Sequence, residues 1–234
     1  MTKSRSWGMT ITLVMTLCLG GAPGMRGQTR SAPVEGPEHF RWSEAKAHEL
    51  DRGHTIKSAA GLNPWQKKEL TDAVVKQLKQ HRSLDEFFAG MPEPELRDLA
   101  SNTRVELVDL NGDGRPEVVA QASGLGPCGG TGNCIFWIFQ LTSTRVRPLL
   151  DSFDSEAGFE VLTIRPWTTN GFNDIVLGSH LGASDRDAVW YKYSQGSYRR
   201  WACYSLSWAG EDRDLSKSPA IAKKECSELF TPQK

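Results

Sequence analysis

Two periodicities divide the chain. Over residues 43–101 apolar positions recur at helical spacing, and from residue 104 they alternate in short runs between turn residues. Asn63-Pro64 places a capping residue ahead of a proline suited to the first helical position, and Trp65, Leu70, Val74 and Leu78 follow as an apolar stripe. Ser43-Glu-Ala-Lys-Ala-His-Glu-Leu50 reads as a short helix capped by Ser43. Ser83-Leu-Asp-Glu86 is a capping box opening onto Phe87-Phe88, which Gly90 and Pro92 stop. Residues 94–100 make one more short helix. The stripe is expected to pack on a sheet rather than to present a partner-binding helix.

Strand-like runs follow at 104–109, 117–123, 135–141 and 146–150, then again at 160–164, 173–179, 188–193 and 198–204. Gln195-Gly196 reads as a hairpin turn. The two series correspond. Gly114-Arg-Pro-Glu-Val-Val119 answers to Gly171-Phe-Asn-Asp-Ile-Val176, and Trp137-Ile-Phe139 to Tyr191-Lys-Tyr193. The expected fold class is α+β: short N-terminal helices, then a duplicated four-stranded antiparallel unit of about eight strands in all. Two such units do not close an ordinary propeller, so the strands form a barrel, a sandwich or blade-like sheets, or the chain oligomerises. The domain plan is a signal peptide over 1–27, a flexible linker over 28–42, a helical region over 43–101 and the duplicated β domain over 102–234.

The turn between the first two strands is chemically distinctive. Asp109-Leu-Asn-Gly-Asp-Gly-Arg-Pro-Glu117 sets Asp109, Asn111 and Asp113 at alternate positions around Gly112 and Gly114. A hard cation such as calcium takes six to eight oxygens, and this spacing supplies them. The Arg115 carbonyl and Glu117 would add two more. An EF-hand would carry a further Glu where this chain has Ala120, and it would be flanked by helices instead of strands. The bland alternative is a plain Asn-Gly or Asp-Gly hairpin, which has no use for acids at so many positions.

This loop resembles the calcium loop of FG-GAP/VCBS-type β-repeats. With the following Cys-Gly-x-x-Gly-Asn-Cys stretch, the chain also resembles exported bacterial proteins of unassigned function. The first likeness covers about a dozen residues and the second, looser one roughly residues 104–208. The resemblance implies a β-repeat fold and calcium, and no particular reaction. The second copy has Pro166-Trp-Thr-Thr-Asn-Gly171 in place of the acids, with Asp174 answering to Glu117, so one metal site is expected.

Lys3 and Arg5, the apolar run over 7–19, and then Gly20, Gly21 and Ala22 form the leader, with cleavage expected between Gly21 and Gly27. Cys18 follows Thr16-Leu17 and lacks the small residue that a lipoprotein site wants just before its cysteine. No later run is long and apolar enough to span a bilayer. That leaves Cys128, Cys134, Cys203 and Cys226, an even number in an exported chain, with Cys128–Cys134 and Cys203–Cys226 as the favoured pairs and zinc as the rival. Formal net charge is zero, and the chain carries no basic stripe, which argues against a nucleic-acid partner.

Gly178-Ser-His-Leu-Gly-Ala-Ser-Asp185 brings serine, histidine and acid close in sequence, but without a Gly-x-Ser-x-Gly elbow. Aromatics gather in the strands: Phe136, Trp137, Phe139, Trp190, Tyr191, Tyr193, Trp201, Tyr204 and Trp208. Most belong to a core, and an exposed row would make a stacking platform. The functional expectation is a periplasmic or extracellular calcium-binding β-repeat protein. It acts as a binding or structural module, not as an enzyme, on a protein or carbohydrate of the cell envelope. The alternatives are a secreted hydrolase using His180 and Asp185, and an inhibitor or partner protein presenting the Cys128–Cys134 loop.

Overall fold

A computed structural model of the chain describes residues 40–42, 50, 54–80, 88, 90–124, 128, 132–151, 158–182, 184–208 and 218–227. The expected leader, the linker through residue 39, the helix at 43–49 and the capping box at 83–86 lie outside the described residues.

Helix α1 (Pro64–Gln80) starts where Asn63 and Gln66 cap one another. The Gln66 N–H donates to Asn63 Oδ1 and the Asn63 N–H to Gln66 Oε1, both at 2.9 Å. Helix α2 (Glu93–Ser101) carries Pro94 in its first turn, with Glu93 and Glu95 beside the positive end of the helix dipole. Arg97 of α2 reaches Asp72 of α1 at 2.7 Å, which ties the pair together. Leu70, Val74 and Leu78 of the predicted stripe are fully buried. Trp65 is instead exposed, at 36 % of its surface.

Among the described residues nine strands form two antiparallel meanders. The first sheet runs β1 (Arg104–Val108), β2 (Glu117–Gln121), β3 (Phe136–Leu141) and β4 (Val146–Asp151). The second runs β5 (Val161–Thr169), β6 (Phe172–His180), β7 (Asp185–Ser194), β8 (Ser197–Ser207) and β9 (Ala220–Lys224). The expected plan of an α+β chain with two four-stranded units holds, with β9 as an added edge strand. Two details differ. Residues 166–169 do not form a loop, because β5 runs on to Thr169 and turns at Asn170-Gly171, where positive φ values of 51° and 83° fit an Asn-Gly hairpin. Gln195-Gly196 turns the same way.

The repeat correspondence also shifts by two residues in its second half. Val119 pairs with Ile138 in the first sheet and Val176 with Trp190 in the second, so Ile138 corresponds to Trp190 and Phe139 to Tyr191. Both sheets then break register at the equivalent point, between Ile138 and Phe139 and between Trp190 and Tyr191. A β-bulge repeated at one place is a structural mark of the duplication.

Alternation along the strands sorts the side chains into three cores. Val119, Phe136 and Ile138 meet Ile175, Leu177 and Val189 between the sheets. Val118, Ala120, Trp137 and Phe139, on the other face of the first sheet, pack under Leu70, Val74 and Leu78. Val176, Trp190, Ala202 and Tyr204, on the other face of the second, pack under Phe40 and Trp42. Val119 faces inward while its counterpart Val176 faces outward. The sheets therefore stack head to tail, as successive propeller blades do.

Phe40 and Trp42 closed the stretch read as linker, but they are 6 % and 5 % exposed. Phe40 stacks on Tyr204 with ring centres 4.1 Å apart, and Arg165 donates to the Arg41 carbonyl at 2.7 Å. Trp42 lies over Gly178, where an added Cβ would come within 2.7 Å of the indole. Gly178→Ala should therefore destabilise the fold by about 1–3 kcal/mol through overpacking. The cost should shrink in a Trp42→Ala background. Urea unfolding of the four proteins of that cycle checks it, and equal costs in both backgrounds would dissociate Gly178 from the strap.

Candidate functional site

The turn from β1 to β2 is built by its own side chains. Positive φ at Gly112 (71°) and Gly114 (80°) curls the backbone back on itself. Asp109 then accepts from the N–H of Gly112 at 2.7 Å and of Gly114 at 2.9 Å. Asn111 accepts from the Asp113 N–H at 2.9 Å, and Asp113 from the Arg115 N–H at 2.8 Å. These nested bonds are the ordinary way Asx side chains stabilise turns. Asn111 Nδ2 also donates to Asp113 Oδ2 at 3.2 Å and to Glu117 Oε1 at 3.4 Å, which draws the loop closed.

One residue anchors this exposed turn in the core. Leu110 is fully buried between the sheets. Its carbonyl accepts from the Asn173 N–H of β6 at 2.7 Å, and its N–H donates to Glu117 Oε2 at 3.0 Å. Tyr198 of β8 donates to the Asn173 carbonyl at 2.9 Å, so the anchor reaches two strands of the second sheet.

The acids sit in contrasting surroundings. The N–H of Gly114, opposed by desolvation and reinforced by the N–H of Gly112, holds Asp109 below the usual carboxylate range. Burial pushes Glu117 up, against the bonds from Leu110 and Gln140, and the charges of Asp113 and Asp109 push it further. Glu117 is 1 % exposed and pairs with no lysine or arginine among the described residues. Burial, then the charges of Glu117, Asp174 and Tyr193, also raises Tyr198, which stays a phenol.

Oxygen donors around a glycine turn, beside a buried acid that lacks a cationic partner, fit a hard cation. The acids are not gathered into a finished cluster, however. Among the described residues no three His, Cys, Asp or Glu side chains converge as a metal group. Both Asp109 oxygens are engaged by backbone N–H groups, and Asn111 and the Arg115 carbonyl would have to complete any ligand set.

The second sheet handles the equivalent acid differently. Register places Asp174 where the first sheet has Glu117, and Lys192 where it has Gln140. Asp174 is 2 % exposed, accepts from Thr169 at 2.6 Å and from the Trp190 indole at 3.1 Å, and lies 3.9 Å from the Lys192 ammonium. An internal cation faces this acid, whereas a neutral amide faces Glu117, with Gln140 Nε2 at 3.4 Å.

Both expected disulfides form, Cys128–Cys134 and Cys203–Cys226. The first closes a loop whose base is tied to the second sheet. Cys134 and Phe159 exchange backbone hydrogen bonds at 2.8 and 2.7 Å. The Asn133 amide pairs with both the N–H and the C=O of His180, each at 2.7 Å. Nothing in the sequence announces that clasp across 47 residues.

The serine, histidine and acid of 178–185 do not come together. His180 aligns with Arg186 across β6 and β7, so alternation sends Asp185 to the opposite face. The His180 ring faces Glu160 instead, with Nδ1 3.7 Å from a carboxylate oxygen that also lies 2.8 Å from Arg186. Asp185 interacts with the neighbouring Ser184 hydroxyl at 3.2 Å. Of the nine strand aromatics, only Trp201 is exposed, at 39 %, and Lys192 lies 3.4 Å over its ring, so they form no open platform. In a groove between α1 and α2, Asp72 and Glu93 are paired with Arg97 and Lys79 of the same lining. No protein family, curated protein or solved structure matches the chain.

The cysteine pairing is directly testable. A non-reducing peptide map of protein recovered from an oxidising compartment should join Cys128 to Cys134 and Cys203 to Cys226. Free thiols, bound zinc or a cross-pairing would contradict this geometry.

Proposed function

We propose that the protein is an exported, calcium-binding β-repeat module that binds or organises other molecules and does not act as an enzyme. The observation that carries this reading is Glu117: a carboxylate buried beside Asp109 and Asp113, with no cationic side chain among the described residues to neutralise it. A cation held by Asp109, Asn111, Asp113, the Arg115 carbonyl and Glu117 would supply that charge and pin the turn. The loop's likeness to FG-GAP/VCBS-type loops supports calcium among hard cations. The two disulfides fit a non-reducing compartment, and hence the periplasm or the exterior. The ligand is taken to be a protein or carbohydrate of the cell envelope, to be sought by pull-down.

Calcium should raise the melting temperature, by binding the folded state alone, by an amount equivalent to about 2.7 kcal/mol at a hundredfold excess over Kd. Asp109→Ala and Asp113→Ala should abolish the rise, and Asp174→Ala should leave calcium affinity unchanged. An unaltered wild-type melting curve between calcium and chelator would end the metal reading.

Glu117 gives an independent check on pH. Its folded-state acidity is weakened, so its contribution favours folding at low pH and fades as pH rises through its folded value. In chelator, Glu117→Gln should melt higher than wild type at neutral pH, and the margin should close on acidification. With calcium present the order should reverse.

The hydrolase alternative, with His180 and Asp185 as its acid–base pair, has no geometric support, since the two side chains leave opposite faces of the sheet. His180→Ala should cost about 1 kcal/mol of stability, as for the loss of a hydrogen bond. Ester, peptide and glycoside hydrolysis screens should be blank for wild type. An activity lost in a folded, calcium-responsive His180→Ala variant would overturn the non-enzyme reading.

A further inference from the structure

The inner face of the second sheet holds a buried acid that neither the calcium loop nor the disulfides involve. Asp187 of β7 is 6 % exposed and pairs in register with Ser179 of β6, itself 1 % exposed. Register partners share a face, and their Cβ atoms lie about 4.5–5.5 Å apart. Yet among the described residues neither Asp187 Oδ1 nor Ser179 Oγ has a hydrogen-bond partner. Two such orphans side by side are unusual in a folded interior, where buried polar atoms find partners.

The surroundings explain why the two do not pair. Ser205 of β8 hydrogen-bonds the Asp187 carboxylate, and the charge of Lys224 on β9 attracts it. Asp185, on the same strand, repels it. On β6 the register partner is Ser179, which does not titrate in this range. On the facing sheet, Gln121 is uncharged, and its amide lies 3.3 and 3.4 Å from the carbonyls of Phe159 and Glu160. In its charged form the carboxylate is thus drawn toward β8 and β9, away from Ser179.

The geometry points to an acid-operated clasp: on acidification Asp187 takes a proton from solvent, loses the attraction of Lys224 and donates a hydrogen bond from its new O–H to Ser179 Oγ. The bond joins the neighbouring strands β6 and β7 next to the point where Asn133 holds the His180 backbone. Burial, the dominant influence on Asp187, already pushes its acidity in the direction the clasp requires, with Lys224 and Ser205 opposing. A group of this kind favours folding at low pH and loses that effect as pH rises through its folded value. An exported protein that meets acid would gain strand pairing there.

The test compares melting temperatures between pH 4 and pH 8, all in excess chelator so that the calcium loop contributes equally to every protein. Asp187→Asn mimics the protonated acid and keeps its shape. It should melt above wild type at pH 8, and the margin should vanish toward pH 4. Ser179→Ala should lower the melting temperature of wild type at pH 4 by roughly 2–4 °C, the effect of one hydrogen bond in a domain of this size, and by less at pH 8. Carbon-detected titration of the wild-type Asp187 carboxyl provides a readout that needs no variant, and it should show a weakened acid. A margin between Asp187→Asn and wild type that stays flat across pH, a Ser179→Ala cost equal at both ends, or an ordinary Asp187 titration would each overturn the clasp.

Discussion

A β-sheet apolar on both faces has to be covered twice. Both meanders are of this kind: β2 is buried along its whole length, and β6 is buried at every position but Asn173 and His180. Stacking the sheets satisfies one face of each and leaves two outer faces in need of cover. Helices α1 and α2 close one, and Phe40 and Trp42 close the other. Terminal caps are the usual requirement of a stack of repeats, because each unit is built to be covered by a neighbour. Head-to-tail stacking sharpens the point. It presents a different face at each end, so two unlike caps are needed, and the chain supplies a helical pair and an aromatic strap.

The same constraint makes the loop and the fold one structure. Leu110 is a core residue placed in the middle of a polar turn. The bond from Asn173 to its carbonyl means that the turn cannot rearrange without disturbing β6. A second route runs through side chains. Glu117 contacts Gln140, Gln140 accepts from Arg147 at 2.8 Å, and Arg147 donates to the Tyr193 hydroxyl of the second sheet at 3.1 Å. Buried polar chains of this type are specific about geometry, since each member left unpaired is costly. Whatever alters the charge at Glu117 is therefore felt across the interface between the sheets.

The parts legible in the sequence are those written in local chemistry. The Asn63-Pro64 start, the change of period near residue 104, the turn at 109–117 and the even set of cysteines all state a local requirement. The matched halves were visible too, but their alignment slipped by two residues. Tyr191-Lys-Tyr193 looks like Trp137-Ile-Phe139, and only strand pairing shows that Trp190 takes the place of Ile138. Asn170-Gly171 carried the strongest short hairpin signal in the second half, yet the analogy with the acidic loop hid it. The strap was masked by its setting, three residues at the end of a proline-bearing stretch. Aromatic content was its sole signal, in Phe40 and Trp42. The clasp of Asn133 on His180 and the pairing of Asp187 with Ser179 depend on which strands become neighbours, and no local pattern records that.

The two halves of the duplication meet one electrostatic problem in two ways. Each carries a buried acid near the start of its second strand, Glu117 or Asp174, opposite a long polar side chain, Gln140 or Lys192. A buried carboxylate is costly unless it is paired or neutralised. In the second sheet the chain brings its own positive charge: Lys192 reaches Asp174 while lying over the Trp201 ring, and a short hairpin suffices at Asn170-Gly171. In the first sheet the amide of Gln140 carries no charge, and the turn adds Asp109 and Asp113 to the negative side. A half that has an amide where its partner has an ammonium, and acids in a longer turn, holds a buried negative charge that its own side chains leave uncompensated among the described residues. On the proposed reading the calcium loop does the work that Lys192 does one blade later, with the difference that its cation can come and go.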